Sequence, residues 1–119
     1  MLLTPEEWVR QHLVHLLITH LHYPKGLIKL EGGHRLNTRL KRTDVLVFNN
    51  TGAPLLLVEC KAAHVPLTEA VCSQLAVYNS TVQAGFVAIT NGLHSFSWQL
   101  DRDNRRYNSL AEIPAYLSL

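Results

Sequence analysis

Apolar and polar positions are sorted most sharply near the middle of the chain, where Val45-Leu46-Val47-Phe48 and Leu55-Leu56-Leu57-Val58 flank Asn49-Asn50-Thr51-Gly52-Ala53-Pro54. Runs this short and this rich in Val and Leu read as buried strands, and turn formers so dense make the chain reverse. The pattern predicts a β-hairpin over 42–61 with a six-residue loop. Side chains alternate along a strand, so Leu55, Leu57, Glu59 and Lys61 are expected on one face, and Asp44, Leu46 and Phe48 on one face of the partner. With Phe48 paired to Leu55, Asp44 falls directly across from Glu59, and Lys61 lies one step further along.

The flanking segments supply helices and more strands. Thr4-Pro5-Glu6-Glu7 has the form of a helix start, with Thr as N-cap, Pro at the first helical position and Glu7 closing a capping box. Val9, Leu13, Leu16, Leu17 and Leu21 continue at helical spacing, which predicts a helix to about His22, stopping before Pro24. Leu27 to Glu31 reads as a strand. Thr68-Glu69 opens a second helix through about Ser80, and Gly85 to Thr90 is an apolar run fitting a central strand that enters parallel to the Glu59 strand. Asn91-Gly92 signals a hairpin into Leu93–Leu100, which alternates like an edge strand. Arg102 to Tyr107 reads as a turn and short strand, and Ser109-Leu110 as the start of a last short helix. The order helix, three strands, helix, strand, strand predicts an α/β fold with a mixed sheet flanked by helices.

Composition narrows the class. The 119 residues are 47% hydrophobic and 17% charged, which suits one folded domain over 1–119. No apolar run approaches a membrane span and no signal-peptide pattern opens the chain, so a cytoplasmic protein without membrane contact is expected. The two cysteines, Cys60 and Cys72, make no disulfide framework, and Cys60 alternates to the face opposite Glu59 as a buried thiol. A net charge of +2 permits a nucleic-acid partner without requiring one. His12, His15, His20 and His22 share a helix, but no cysteine or carboxylate joins them at zinc spacing, and they read as helix-surface residues.

The chemistry concentrates at the end of the hairpin. Two facing carboxylates repel unless a cation lies between them. Mg²⁺, with Mn²⁺ as substitute, suits this place, because it takes one or two carboxylates plus water and phosphate oxygens. Lys61 is no ligand while charged, but it can offset charge that develops on an attacking water or a phosphate. A surface Glu–Lys pair is the commoner meaning of E-x-K alone. Four apolar residues before it and Asp44 in register favour the metal reading. The basic stretch Arg35, Arg39, Lys41, Arg42 leads into Asp44. It reads equally as a solvated loop or as contacts to a DNA backbone.

Asp44, a hairpin turn, then Glu59-Cys60-Lys61 resembles the D…(D/E)-x-K signature of the PD-(D/E)xK nuclease superfamily, with Thr43 where Pro is frequent. More narrowly, Lys41-Arg42-Thr43-Asp44 through Leu57-Val58-Glu59-Cys60-Lys61-Ala62 to Thr90-Asn91-Gly92 is similar to the N-terminal nuclease domain of type I restriction enzyme R subunits. The resemblance spans Pro5 to about Tyr107. It implies a restriction-endonuclease-like αβββαβ core and Mg²⁺-dependent endonuclease cleavage of DNA in restriction–modification. Asp44, Glu59 and the Cys60 backbone carbonyl would hold the metal, and Lys61 would position or activate the water. Gln74-Leu75-Ala76-Val77-Tyr78 resembles the Q-x-x-x-Y motif, in which the Gln helps orient the site and the Tyr supports it or touches nucleic acid. Glu6-Glu7-Trp8-Val9-Arg10 resembles the first-helix E-x-x-V-R pattern, with Glu6 near the metal; an acid complementing the helix dipole reads as well there.

DNA is thus the expected partner, together with helicase or methyltransferase restriction subunits, and a homodimer is left open. No Walker-type motif occurs in these residues, and no base-reading motif is visible, so little intrinsic sequence specificity is expected. Two other readings remain: a non-catalytic DNA- or partner-binding module with a nuclease fold, and a restriction-subunit fragment inert without its motor.

Overall fold

The computed structural model describes residues 4–32 and 43–119. Helix α1 (Pro5–Thr19) is followed by strands β1 (Ile28–Gly32), β2 (Thr43–Phe48) and β3 (Pro54–Cys60). Helix α2 (Glu69–Val82) then crosses to β4 (Phe86–Thr90), β5 (Ser95–Asp101) and β6 (Arg106–Leu110). Among the described residues the six strands form one sheet in sequence order, β3 and β4 parallel and the other neighbours antiparallel. This is the expected mixed α/β architecture, and its α1-β1-β2-β3-α2-β4 part has the anticipated order.

The sheet separates two apolar clusters. On one face Val45, Val47, Leu56, Val58, Cys60 and Ala88 pack against Val9, Leu13 and Leu17 of α1. On the other, Leu57, Val87 and Ile89 pack against Leu75 of α2, with Leu46, Trp98 and Tyr107 half-buried beside them. The near-continuous apolar character of β3 and β4 follows from this, since central strands with a helix over each face leave no side for polar residues.

Several boundaries differ from the pattern-based expectation. Helix α1 ends at Thr19 with His20 as C-cap, three residues short of His22, because His22 takes φ +62° and turns the chain out of the helix. Tyr23 N–H then closes the turn on the Leu17 carbonyl at 2.9 Å. Glu7 binds Arg10, with Oε1 2.6 Å from the Nη2, while Thr4 accepts the Glu7 N–H at 3.1 Å. So the acid expected to close a capping box is drawn to a guanidinium one turn on.

Phe48 pairs with Pro54 and not with Leu55, because a bulge interrupts the β2–β3 register between Val47 and Phe48. The extra residue is Leu55, which packs into the α1 cluster, away from the face it was expected to share with Leu57. The bulge lies on the loop side, so the register beyond it still pairs Asp44 with Glu59.

Strand β5 is not the edge: β6 pairs along it from Ser97–Leu110 to Asp101–Arg106. Ser109 and Leu110 therefore belong to a strand and open no helix, and the last helical turn is a 3-10 segment, Tyr116–Ser118, beyond Pro114. The Asn91-Gly92 hairpin forms with a four-residue connection, Thr90 pairing with Ser95. Gly92 has φ +89°, which a side chain would strain, and Asn91 Oδ1 accepts the Leu93 and His94 N–H groups at 2.9 and 2.8 Å.

Tyr23 was not singled out by spacing, yet it is 1% exposed and donates its hydroxyl to the Pro114 carbonyl at 2.6 Å, fastening the segment after α1 to the C-terminal segment. Burial raises its pKa from 10.0 to about 12, since the phenolate is the form that loses most solvation. A folded-state value above the unfolded one means that the stability this group contributes is complete below pH 10 and declines as pH rises from 10 toward 12. Tyr23→Phe is expected to cost about 1 kcal/mol at neutral pH and to remove that alkaline component. Urea unfolding at neutral pH and across that range would show both.

Candidate active site

Alternation on β3 sends Val58 and Cys60 to the α1 face and Leu57 and Glu59 to the α2 face. Glu59 is 2% exposed, so a carboxylate stands at the end of an otherwise apolar row. A buried carboxylate needs a cation or hydrogen-bond donors to stay ionised. One cation is Lys61, whose Nζ lies 2.8 Å from Glu59 Oε2, with the Glu59 side chain 3% and the Lys61 side chain 26% exposed. Lys61 therefore joins the buried acid to the surface.

The backbone brings a second acid to the same place. Asp44 of β2 is the register partner of Glu59, and Ile89 of β4 is its partner on the other side. Cys60 points into the α1 cluster at 2% exposure, as alternation required, so its thiol is directed away from Glu59 and only its backbone borders the site. Cys60→Ala should lower stability by about 1–2 kcal/mol, and any Mg²⁺ held beside Glu59 should bind the mutant as it binds the wild type; isothermal titration of the folded mutant checks the second half. A collapse of affinity would make the thiol a ligand.

The segment after β3 is held by the β4–β5 turn. Lys61 N–H donates to the Thr90 carbonyl at 2.8 Å, extending the parallel ladder by one step. Asn91 is 3% exposed and its Nδ2 donates to the Val65 carbonyl at 2.9 Å. Thr90 Oγ1 accepts the Gly92 N–H at 3.0 Å and the Ser95 hydroxyl at 2.9 Å. Thr90-Asn91-Gly92 thus does more than reverse the chain: it fixes the exit path of the strand that carries Glu59 and Lys61. The Asn-Gly dipeptide signalled a turn, but nothing local signalled this second grip.

The other anticipated residues are distributed as follows. Glu6 is half-buried in the first turn of α1, and that turn lines a cavity with Ala63, Asn91 and Gly92. It therefore stands at the sheet end where β3 leaves and β4 turns, although α1 packs on the face opposite Glu59. Gln74 is exposed on α2, and Tyr78 is half-buried against the Leu57 cluster one turn later. Arg35, Arg39, Lys41 and Arg42 lie outside the described residues, and for Asp44 the backbone placement is what is described. His12, His15, His20 and His22 are exposed; His12 lies against the Trp8 ring at 3.8 Å. Among the described residues no helix is long and apolar enough to cross a membrane.

Asn79 was not anticipated. It is fully buried on α2, donates from Nδ2 to the Ala84 carbonyl at 3.1 Å and the Tyr107 hydroxyl at 3.0 Å, and accepts the Ala84 N–H on Oδ1 at 2.9 Å. It closes the turn from α2 into β4 and ties that turn to β6.

The donor set at the Asp44–Glu59 positions consists of hard carboxylate oxygens. The Glu59 carboxylate is buried beside the Lys61 ammonium, and oxygen donors of this kind are those that a hard divalent cation such as Mg²⁺ takes.

A family model described as type I restriction enzyme R protein N terminus matches residues 5–114. No curated protein matches the chain.

Proposed function

The chain belongs to the family of type I restriction enzyme R protein N termini, and from that premise we propose that it is the nuclease of a restriction–modification system, hydrolysing DNA phosphodiester bonds with bound Mg²⁺. The observation that carries this reading is the pairing of Asp44 with Glu59 across β2 and β3, with Lys61 at 2.8 Å from the Glu59 carboxylate.

Asp44, Glu59 and the Cys60 carbonyl would hold the metal. Bound there, Mg²⁺ would supply Lewis-acid stabilisation of the charge on the phosphate and the leaving oxygen. The chain's own residues do the rest. Burial of Glu59 keeps its oxygens oriented and away from competing water. Lys61, at the surface end of that pair, can release Glu59 and direct its ammonium toward an attacking water or a phosphate oxygen. The Thr90 carbonyl, holding the Lys61 N–H, keeps the ammonium's backbone anchor fixed during that change. Gln74, exposed on α2, and Tyr78 below it are the residues we assign to orienting the phosphate. Glu6 is the α1 acid we assign to this end by its place in the E-x-x-V-R pattern, and Arg39, Lys41 and Arg42 are assigned to the DNA backbone by their charge and position before Asp44.

Incubation with supercoiled plasmid should give nicked circles in Mg²⁺ or Mn²⁺ and none in EDTA. Plasmid that stays supercoiled in both metals, at protein concentrations where DNA is bound, would replace this reading with that of a DNA-binding module.

A further inference from the structure

We propose that Phe96, backed by Trp98, is a stacking platform for an unpaired DNA base next to the cleavage site; this rests on the nuclease reading and adds how the substrate strand is held. The register Glu59–Ile89–Phe96 runs straight across three neighbouring strands, so Phe96 lies in the row of the buried acid and on its face of the sheet. Two strand spacings, roughly 10 Å, separate the two backbones, which is the reach of a nucleotide adjoining a phosphate held at Glu59 and Lys61.

The ring is built for contact. Trp98 is half-buried under α2, where Glu69, Cys72 and Ser73 share a cavity of about 300 Å³ with it. Phe96 stands one step nearer the Thr90 end and is 47% exposed, a large apolar surface two strands from the Glu59 row's charged pair. The two rings lie stacked, with centroids 6.3 Å apart and planes 28° from parallel, so Phe96 is supported from one side. A supported aromatic face beside an anion-handling site suits a nucleotide, whose phosphate and base need those two surfaces together. Every base has such a face, so the contact is tolerant of sequence, in keeping with the lack of a base-reading motif. Within a duplex the faces are covered by neighbouring pairs; only an unpaired or extruded base can use Phe96.

The test is binding of a fluorescein-labelled oligothymidylate, and of a blunt duplex of equal length, by fluorescence anisotropy in Ca²⁺ at one salt concentration. Wild type should prefer the single strand. Phe96→Ala and Phe96→Leu should weaken single-strand binding about 5- to 150-fold, the range of one lost base stack, and Phe96→Tyr should bind as wild type does. Leucine keeps the apolar volume and tyrosine keeps the ring, so their comparison decides the matter even if the alanine variant unfolds. Single-strand binding by Phe96→Leu equal to wild type, or a wild-type preference for duplex, overturns the proposal. If wild type then still nicks plasmid and Lys61→Ala does not, the nuclease reading stands without the platform. If wild type neither nicks nor binds DNA, both fall.

Discussion

Replacing Lys61 by alanine is expected to lower plasmid nicking about 10²–10³-fold, the usual cost of removing one charge-stabilising group from a reacting centre, with Mg²⁺ and DNA affinity nearly unchanged. In the proposed mechanism Lys61 is no metal ligand, so its loss should appear in turnover rather than in binding. Asp44→Ala should behave differently. It removes a carboxylate from the position opposite Glu59, so Mg²⁺ affinity should itself fall, and cleavage with it. Titration calorimetry with Mg²⁺, single-turnover nicking and DNA affinity at one salt concentration separate the two outcomes. In a binding module neither mutant would alter activity, and Asp44→Ala would tighten DNA binding, since one negative charge leaves the phosphate path. A folding complication attends Lys61→Ala, because Glu59 keeps its burial when the ammonium 2.8 Å away is removed. Lys61→Met, which retains the stem, and a melting curve for each variant therefore accompany the measurement.

Asn79→Ala is expected to cost about 3–4 kcal/mol, among the largest losses available from a polar residue here. The amide makes three hydrogen bonds inside the α2 face, and alanine would leave the Ala84 N–H buried without its acceptor and the Ala84 carbonyl without the amide donor. Tyr107→Phe removes only one of the three and should cost about 1 kcal/mol. Thermal melts should show a fall of roughly 10–15 °C for the first and a few degrees for the second. Equal losses would mean that the Tyr107 bond, and not the closure of the turn, carries the stability.

Much of the hairpin was legible because it is local. Five residues, 49–53, join β2 to β3, one fewer than the turn signals suggested because Pro54 already pairs with Phe48, and with so short a loop the turn signals and the two apolar runs leave few registers open. Asp44 opposite Glu59 was therefore readable, and so was Cys60 on the far face. The bulge at Leu55 was not: it moves one side chain to the α1 cluster, and only the presence of that helix makes the change favourable. Similar limits applied elsewhere. Alternation in Leu93–Leu100 said strand, but whether a strand is an edge depends on a neighbour, and β6 supplied it. The spacing Val9, Leu13, Leu17 gave the buried side of α1, while its end was decided by the left-handed His22 and by Tyr23, which reaches across to Pro114.

What the sequence by itself determined was the order and kind of the main elements, the cap at Thr4, the start of α2 at Thr68, whose hydroxyl accepts the Val71 N–H, and the ordered set Asp44, Glu59, Lys61. These rest on propensities and periodicities that act within a few residues. Tertiary structure alone decided that Thr90 and Asn91 grip the strand exit, that Asn79 joins α2 to β6, and that Phe96 shares the row of Glu59. A buried polar group or an exposed ring has its meaning from the atoms around it, and those atoms come from segments distant in sequence that only the closed sheet brings together.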